Sequence, residues 1–179
     1  MNYKTVLDFW FDPAHQPHWF KQSDTFDHLI QEQFEHTLQQ AAACELFTWR
    51  ETALGRLAEI IVLDQFSRNI YRGTPRAFSQ DPLALALAQE AIRLKLDHEL
   101  EPAQRSFLYM PYMHSESRII HLQAVQLFEM LGNPVNLDFE HKHQVIIERF
   151  GRYPHRNQIL QRTSTAEEIE FLKQPDSSF

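Results

Sequence analysis

The sequence predicts an all-α protein built from helical hairpins whose helices pack antiparallel. Three observations support this class. Apolar residues recur at spacings of three and four along six or more segments, and Pro, Gly or Asn residues mark short turns between these segments. No pair of segments shows the alternation and turn residues of a β-hairpin. With 179 residues, the chain is expected to form one domain.

The first long helix is predicted to run from Ser23 to about Ala43. Ser23 is a favourable N-cap residue. Behind it, apolar residues recur every four positions: Phe26, Ile30, Phe34 and Leu38. Aromatic residues of the preceding stretch, Phe9 to Phe11, are expected to anchor it in the core, since 14 Phe, 5 Tyr and 3 Trp are many for this length.

A second helix is predicted to begin near Thr52. On this helix Leu57 and Ile61 lie on a line that continues through Asp64 and Arg68, so charged residues extend an apolar stripe. A charge that faces a core is costly unless it is paired or functional. We therefore predict a first group of ligand-binding residues here: Asp64, Arg68, Asn69 and Arg72.

Proline and serine residues mark the next two helices. Asp81 is expected to cap a helix that has Pro82 in its first turn, and Pro102 starts another that Pro111 kinks or ends. The following helix is expected to have Ser115 as N-cap and Glu116 in its first turn. Its predicted apolar face comprises Ile119, Leu122, Leu127 and Met130.

The last long helix is predicted to end at Gly151, before a turn that contains Pro154. One face of it carries a histidine among apolar residues: Phe139, His143, Ile146 and Phe150. Thr165 and Glu168 match a capping box for a final short helix. Residues after Gln174 are expected to form a frayed tail.

Positive charge is concentrated between His141 and Arg162, where five basic residues accompany one acid in a chain of net charge -7. This segment supplies a further group of candidates: His143, Arg149, Arg152, His155, Arg156 and Asn157. A third group, His114 and Glu116, lies between two helices. Arginine forks suit carboxylate or phosphate, and histidine exchanges protons near neutral pH.

Two interpretations of these groups remain open. In the first, the groups converge on one cleft that binds a small anionic molecule, with the arginines as ligand-binding residues and a set of candidate catalytic residues: His114, Glu116, His143 and His155. In the second, Asp64 pairs with Arg68, and Glu116 pairs with an arginine of the basic segment, as a structural network.

Composition excludes several other functions. The acidic balance speaks against a nucleic-acid surface, and no glycine-rich phosphate loop is present. Because the chain has one cysteine and no compact metal-ligand motif, we predict no disulfide, no metal and no other cofactor. Since it shows neither a signal peptide nor a membrane span, we expect a cytoplasmic protein without membrane contact.

Three motifs resemble those of the bacterial family called domain of unknown function 924. They are LDQFSRNIYRG at 63–73, FLYMPYMHSE at 107–116 and RFGRYPHRN at 149–157, and the resemblance covers nearly the whole chain. Ser67 is a departure, because the family pattern usually has proline there. The resemblance implies an all-α, tetratricopeptide-like fold and implies no activity. The first functional hypothesis is therefore a protein that binds a small anion, with or without enzyme activity. Because such folds often present concave binding surfaces, the alternative hypothesis is a module that binds a protein partner.

Overall fold

The computed structural model describes residues 1–175 and 177–178, and over this range the chain is all-helical, without β-strands. The all-α prediction is therefore confirmed. The described residues form nine α-helices: α1 (Tyr3–Trp10), α2 (Asp24–Ala42), α3 (Ala53–Ile61), α4 (Ser67–Ile70), α5 (Asp81–Arg93), α6 (Pro102–Met113), α7 (Arg118–Leu131), α8 (Pro134–Phe150) and α9 (Ala166–Phe171). Pro111 lies inside α6, so it does not end that helix.

The chain divides into two compact units. Unit 1 comprises Met1–Arg72 and Arg76–Pro111, and unit 2 comprises Gly73–Pro75 and Tyr112–Phe179. The single domain and the tetratricopeptide-like fold stay predictions. Of the predicted frayed tail, residues 176 and 179 lie outside the described part of the chain.

Aromatic side chains fill the core of unit 1, where α1 and α5 pack against α3 and α2 packs against α4. Phe34 lies 4.9 Å from Phe9 and 4.8 Å from Phe66 between ring centroids. Trp10 lies 5.6 Å from Phe66 and 5.5 Å from Phe107, in edge-to-face geometry. The first rings of the chain thus anchor α1 in the core, as the composition predicts.

The predicted starts of α2 and α3 are confirmed. Ser23 accepts a hydrogen bond from the Phe26 N–H, and Thr52 accepts one from the Gly55 N–H. The predicted cap of α5 is wrong, because Asp81 is its first residue rather than its N-cap. The Asp81 carboxylate is bound by Arg68 instead.

A π-helical turn, Val62–Phe66, joins α3 to α4. Such a turn contains more residues than an α-helical turn and is frequent at functional sites. The sequence prediction assumed a regular helix through this stretch. Even so, the side chain of Asp64 is 1% exposed and that of Arg68 is 17% exposed, so both side chains point away from solvent as predicted.

Helices α7 and α8 form a hairpin in unit 2 and pack directly against each other. Gly132 ends α7 with a φ of +75°, a conformation that favours glycine. Asn133 caps α8, because its side-chain oxygen accepts hydrogen bonds from the N–H groups of Val135 and Asn136. Gly151 ends α8 as predicted, at a φ of +68°. The capping box of Thr165 and Glu168 at the start of α9 is also confirmed.

Two predictions about α7 are wrong. The N-cap is Ser117 rather than Ser115, so Glu116 precedes the helix. Of the predicted apolar face, only Leu127 is buried. The buried face includes His121, Ala124 and Phe128 instead. Because His121 is polar, the pattern of apolar residues pointed to the opposite, exposed face of the helix. No α-helix in residues 1–175 is both long enough and apolar enough to cross a membrane.

Candidate functional site

Arg68 joins two acids of unit 1. Its guanidinium donates to both carboxylate oxygens of Asp81, at 2.8 and 2.9 Å. It also donates to the backbone oxygen of Asp64 at 2.8 Å and lies 3.2 Å from the Asp64 carboxylate. The predicted pair of Asp64 and Arg68 is therefore present, with Asp81 as an additional partner.

Asp27 of α2 holds the other two members of this group. Asn69 donates to it at 2.7 Å, and Arg72 donates at 2.5 and 2.9 Å. The hydrogen bond with Asp27 raises the pKa of Arg72, although burial opposes this effect. Asp27 and Asp81 lie in the first turns of α2 and α5. The sequence analysis missed Asp27, because nothing in the local pattern of α2 separates it from other surface acids.

In unit 2, Glu116 binds an arginine of the basic segment, as the structural interpretation predicts. Arg162 donates to both Glu116 oxygens, at 2.6 and 2.9 Å, and the Tyr153 N–H donates to Glu116 at 2.7 Å. Burial alone would raise the pKa of Glu116, but these hydrogen bonds hold the pKa below its usual value. Arg162 also donates to the side chain of Asn157, which in turn donates to Ser164.

Two further arginines of the basic segment bind acids near α9. Arg152 donates to both oxygens of the buried Glu168, at 2.7 and 2.8 Å, and this contact lowers the pKa of Glu168 to about 2. Arg149 donates to Glu167 at 2.8 Å, but both side chains of this pair are exposed. Arg152 therefore ties α9 to the end of α8, whereas Arg149 forms a surface ion pair.

A histidine-rich cluster surrounds the buried ring of Tyr153. The ring centroids of His155, His143 and His121 lie 5.5, 5.6 and 6.3 Å from that of Tyr153. The Arg156 guanidinium lies 4.6 Å from the same ring and donates to the His114 backbone oxygen at 3.1 Å. We call these residues the Tyr153 cluster: Tyr153, His121, His143, His155 and Arg156.

His143 is a neutral member of this cluster. Its Nδ1–H donates to the Phe139 backbone oxygen at 2.7 Å, four residues earlier on α8. Burial lowers the pKa of His143 to about 3, and the neighbouring His114, His121 and His155 disfavour its protonation further. At neutral pH His143 is thus a hydrogen-bonding group, and a role in proton transfer would fall to His114 or His155.

His121 is a member that the sequence analysis did not identify. It is buried, its Nδ1 lies 2.7 Å from the Glu140 carboxyl, and its Nε2 lies 2.8 Å from the Ser115 backbone oxygen. Burial raises the pKa of Glu140, although the hydrogen bond with His121 opposes this. The spacing of His121 from Ala124 and Phe128, three and seven residues, could have placed it on the inner face.

The exposure of the predicted residues in unit 2 separates them into two sets. His114 and His155 are half-buried, whereas Arg156 and Asn157 are buried. Within residues 1–175, no group of three or more His, Cys, Asp or Glu side chains is placed to hold a metal ion. The half-buried imidazoles, beside a guanidinium and a phenol ring, could bind an anion and exchange a proton with it.

The structure thus brings together the first group within unit 1, around Asp27 and Asp81. Around Glu116 and Tyr153 in unit 2 it brings together six predicted residues: His114, Glu116, His143, His155, Arg156 and Asn157. Arg149 and Arg152 of the same segment instead pair with acids of α9. A single cleft that contains all three groups stays a prediction.

Comparisons with known proteins give one matching family and a similar solved structure, both described as of unknown function. The family described as "Bacterial protein of unknown function (DUF924)" matches residues 6–176. The structure of a protein of unknown function from Agrobacterium tumefaciens is similar, with a TM-score of 0.91 and 38% sequence identity over 96% of each chain. No curated protein matches the sequence.

Proposed function

The chain belongs to the DUF924 family of bacterial proteins of unknown function, and we propose that it binds a small anionic molecule through the Tyr153 cluster and His114. The molecule would carry a phosphate or carboxylate group. The observation that carries this proposal is the collection of three imidazole rings and one guanidinium around the ring of Tyr153. A guanidinium donates hydrogen bonds and an imidazole can become cationic, and both properties favour an anion. His143 is the exception, because it is neutral and its Nδ1–H is already bound to Phe139.

Four arginines outside the Tyr153 cluster, three of them predicted site residues, support the structure rather than the ligand in this proposal. Arg68, Arg72, Arg152 and Arg162 each donate two hydrogen bonds to the carboxylate of an acid, so an incoming anion would compete with these carboxylates. Breaking such a partly buried pair leaves a charge without its partner, which is unfavourable. We therefore assign these arginines to the structural network of the second interpretation.

His155 and His114 would contact the ligand. Both side chains are half-buried, so part of each is in contact with solvent. An imidazolium binds an anion more strongly than a neutral imidazole does, so protonation of either ring would strengthen binding. His143 would contribute a neutral group, since its pKa is about 3.

Thermal unfolding in the presence of phosphate, pyrophosphate and citrate tests this proposal. A ligand at 100 times its Kd stabilises the folded state by about 2.7 kcal/mol, and each kcal/mol raises the Tm of a chain of this size by about 2–4 °C. At least one of these anions should raise the Tm, and His155→Gln together with His114→Gln should abolish the increase.

His141→Gln is the matched control, because His141 is an exposed histidine of the same basic segment. It should keep the full increase in Tm. If none of the three anions raises the Tm, or if the double variant keeps the increase, the proposal is wrong.

A further inference from the structure

Helix α7 has an exposed apolar stripe. Ile119, Leu122 and Met130 are 70%, 59% and 67% exposed, although they are large apolar side chains. With the exposed Gln126 they occupy positions i, i+3, i+7 and i+11, which form one line along the helix. We call these four residues the α7 stripe.

The opposite face of α7 is already used within unit 2, since His121, Ala124 and Phe128 are buried there. The helix is therefore apolar on two opposite faces. A helix at the surface of a protein normally has one apolar face and one polar face. Contiguous exposed apolar residues with polar surroundings often mark an interaction site.

The two ends of the α7 stripe carry opposite charges. Arg118 lies at the start of the helix and is held there, because it donates to the backbone oxygens of Ile147 and Glu148. Glu129 lies exposed near the end of the helix. No charged residue lies within the stripe itself. This arrangement complements itself when the helix is turned end to end.

We propose that the α7 stripe is the contact surface for a second copy of this chain. Two α7 helices related by a two-fold axis would run antiparallel, so Ile119 of one copy would pack against Met130 of the second copy. Leu122 would lie against Gln126 of the second copy, near the axis. Each Arg118 would then lie close to Glu129 of the second copy, and the two ion pairs would fix the antiparallel orientation.

The next helix, after the turn at Gly132, also exposes apolar side chains. Val135 and Phe139 on α8 are 61% and 44% exposed. Asp138 and Lys142, which lie beside Phe139, form an ion pair at 3.2 Å, so these two charges compensate each other.

Sedimentation velocity of the complete chain, from micromolar to near-millimolar concentration, measures the association. The chain should dimerise, and Leu122→Lys should weaken the dimer by about tenfold or more, because each subunit then places a lysine in the apolar contact. Leu94→Lys is the control, since Leu94 is an exposed leucine of unit 1. It should dimerise like the natural chain. Circular dichroism should show that both variants are folded.

A charge exchange tests the antiparallel register. Glu129→Arg alone and Arg118→Glu alone should each weaken the dimer, because like charges then meet at both ends. An equimolar mixture of the two variants should associate again, since each end of the mixed dimer pairs an arginine with a glutamate. A chain that stays monomeric would overturn the proposal. So would a dimer that Leu122→Lys does not weaken, or a mixture that does not associate.

Discussion

Each unit of this protein buries one glutamate completely, and the two glutamates have different partners. In unit 1, Glu59 of α3 accepts two hydrogen bonds from Arg50, at 2.6 and 2.7 Å. In unit 2, Glu140 of α8 shares a single hydrogen bond of 2.7 Å with His121 of α7. Both glutamate side chains are 0% exposed.

The partners differ in charge and in contact with water. Arg50 stays charged at every accessible pH, its pKa is raised by the hydrogen bond with Glu59, and its side chain is 24% exposed. His121, an imidazole, is only 1% exposed. The second oxygen of Glu140 is buried and has no hydrogen-bond partner among the described residues.

These two pairs show that a buried carboxyl can be stabilised in two ways. A permanent cation fixes the carboxylate in its charged form, as Arg50 does for Glu59. A histidine can share a proton with the carboxyl, and burial raises the pKa of Glu140, which favours the protonated acid. We therefore expect the interior of unit 2 to respond to pH more strongly than the interior of unit 1.

The largest effect is expected from removing the permanent cation. Arg50→Gln should lower the free energy of unfolding by about 3–5 kcal/mol at pH 7, because Glu59 would remain buried without its charged partner. His121→Gln should cost less, since Glu140 can take up a proton instead. Urea denaturation at pH 7 and at pH 5 measures both variants, and the deficit of His121→Gln should shrink at the lower pH.

Arg93→Gln is the control for Arg50→Gln, because Arg93 forms a similar two-bond pair with Glu90 at the surface. Its loss should cost much less than the loss of Arg50, because both charges of the surface pair remain in contact with water. Equal deficits for Arg50→Gln and His121→Gln at both pH values would show that the two buried pairs do not differ.

A second, smaller effect concerns the pH dependence of unit 2. The pKa of His143 is about 3 in the folded chain and about 6.5 in the unfolded chain, so the unfolded chain binds this proton first. Its contribution to stability is therefore complete above pH 6.5 and is lost as the pH falls towards 3, with a slope of at most about 1.4 kcal/mol per pH unit. His143→Gln should remove this slope from unfolding free energies measured between pH 7 and pH 4.

Glu140 acts in the opposite direction, because its raised pKa makes stability decrease as the pH rises. The double variant His143→Gln with Glu140→Gln separates the two contributions. His36→Gln, on the exposed side of α2, controls for the loss of a histidine. An unchanged slope in His143→Gln would contradict the assignment.

Local signals in the sequence predicted much of the fold. Ser23, Thr52, Gly151 and the Thr165 capping box act within a few residues of themselves, so their roles can be inferred from neighbouring positions. The face of α7 could not be inferred in this way. Its exposed Ile119, Leu122 and Met130 look like a core stripe, whereas its buried face contains His121.

The partners of the site residues depend on contacts between distant parts of the chain. Asp64 and Arg68 lie one helical turn apart, and their pairing was predicted. Asp27 of α2 contacts Arg72 in the turn after α4, 45 positions away, and His121 of α7 contacts Glu140 of α8, 19 positions away. The orientation of one helix relative to another cannot be inferred from local patterns in a single sequence. These contacts were therefore not predicted.

The smallest effects are expected from two arginines of one segment, whose acids differ in burial. Glu168 is 3% exposed and Glu167 is 62% exposed. Arg152→Gln should therefore be the more destabilising of the two, since it leaves a buried carboxylate with fewer donors, whereas Arg149→Gln removes only a surface ion pair. Because the pKa of Glu168 is about 2, the Arg152 deficit should be complete above pH 5 and should decrease as the pH falls towards 2. Urea denaturation of both variants at pH 7 and pH 3 measures this difference, and equal costs at pH 7 would show that burial of the acid does not determine the strength of these pairs.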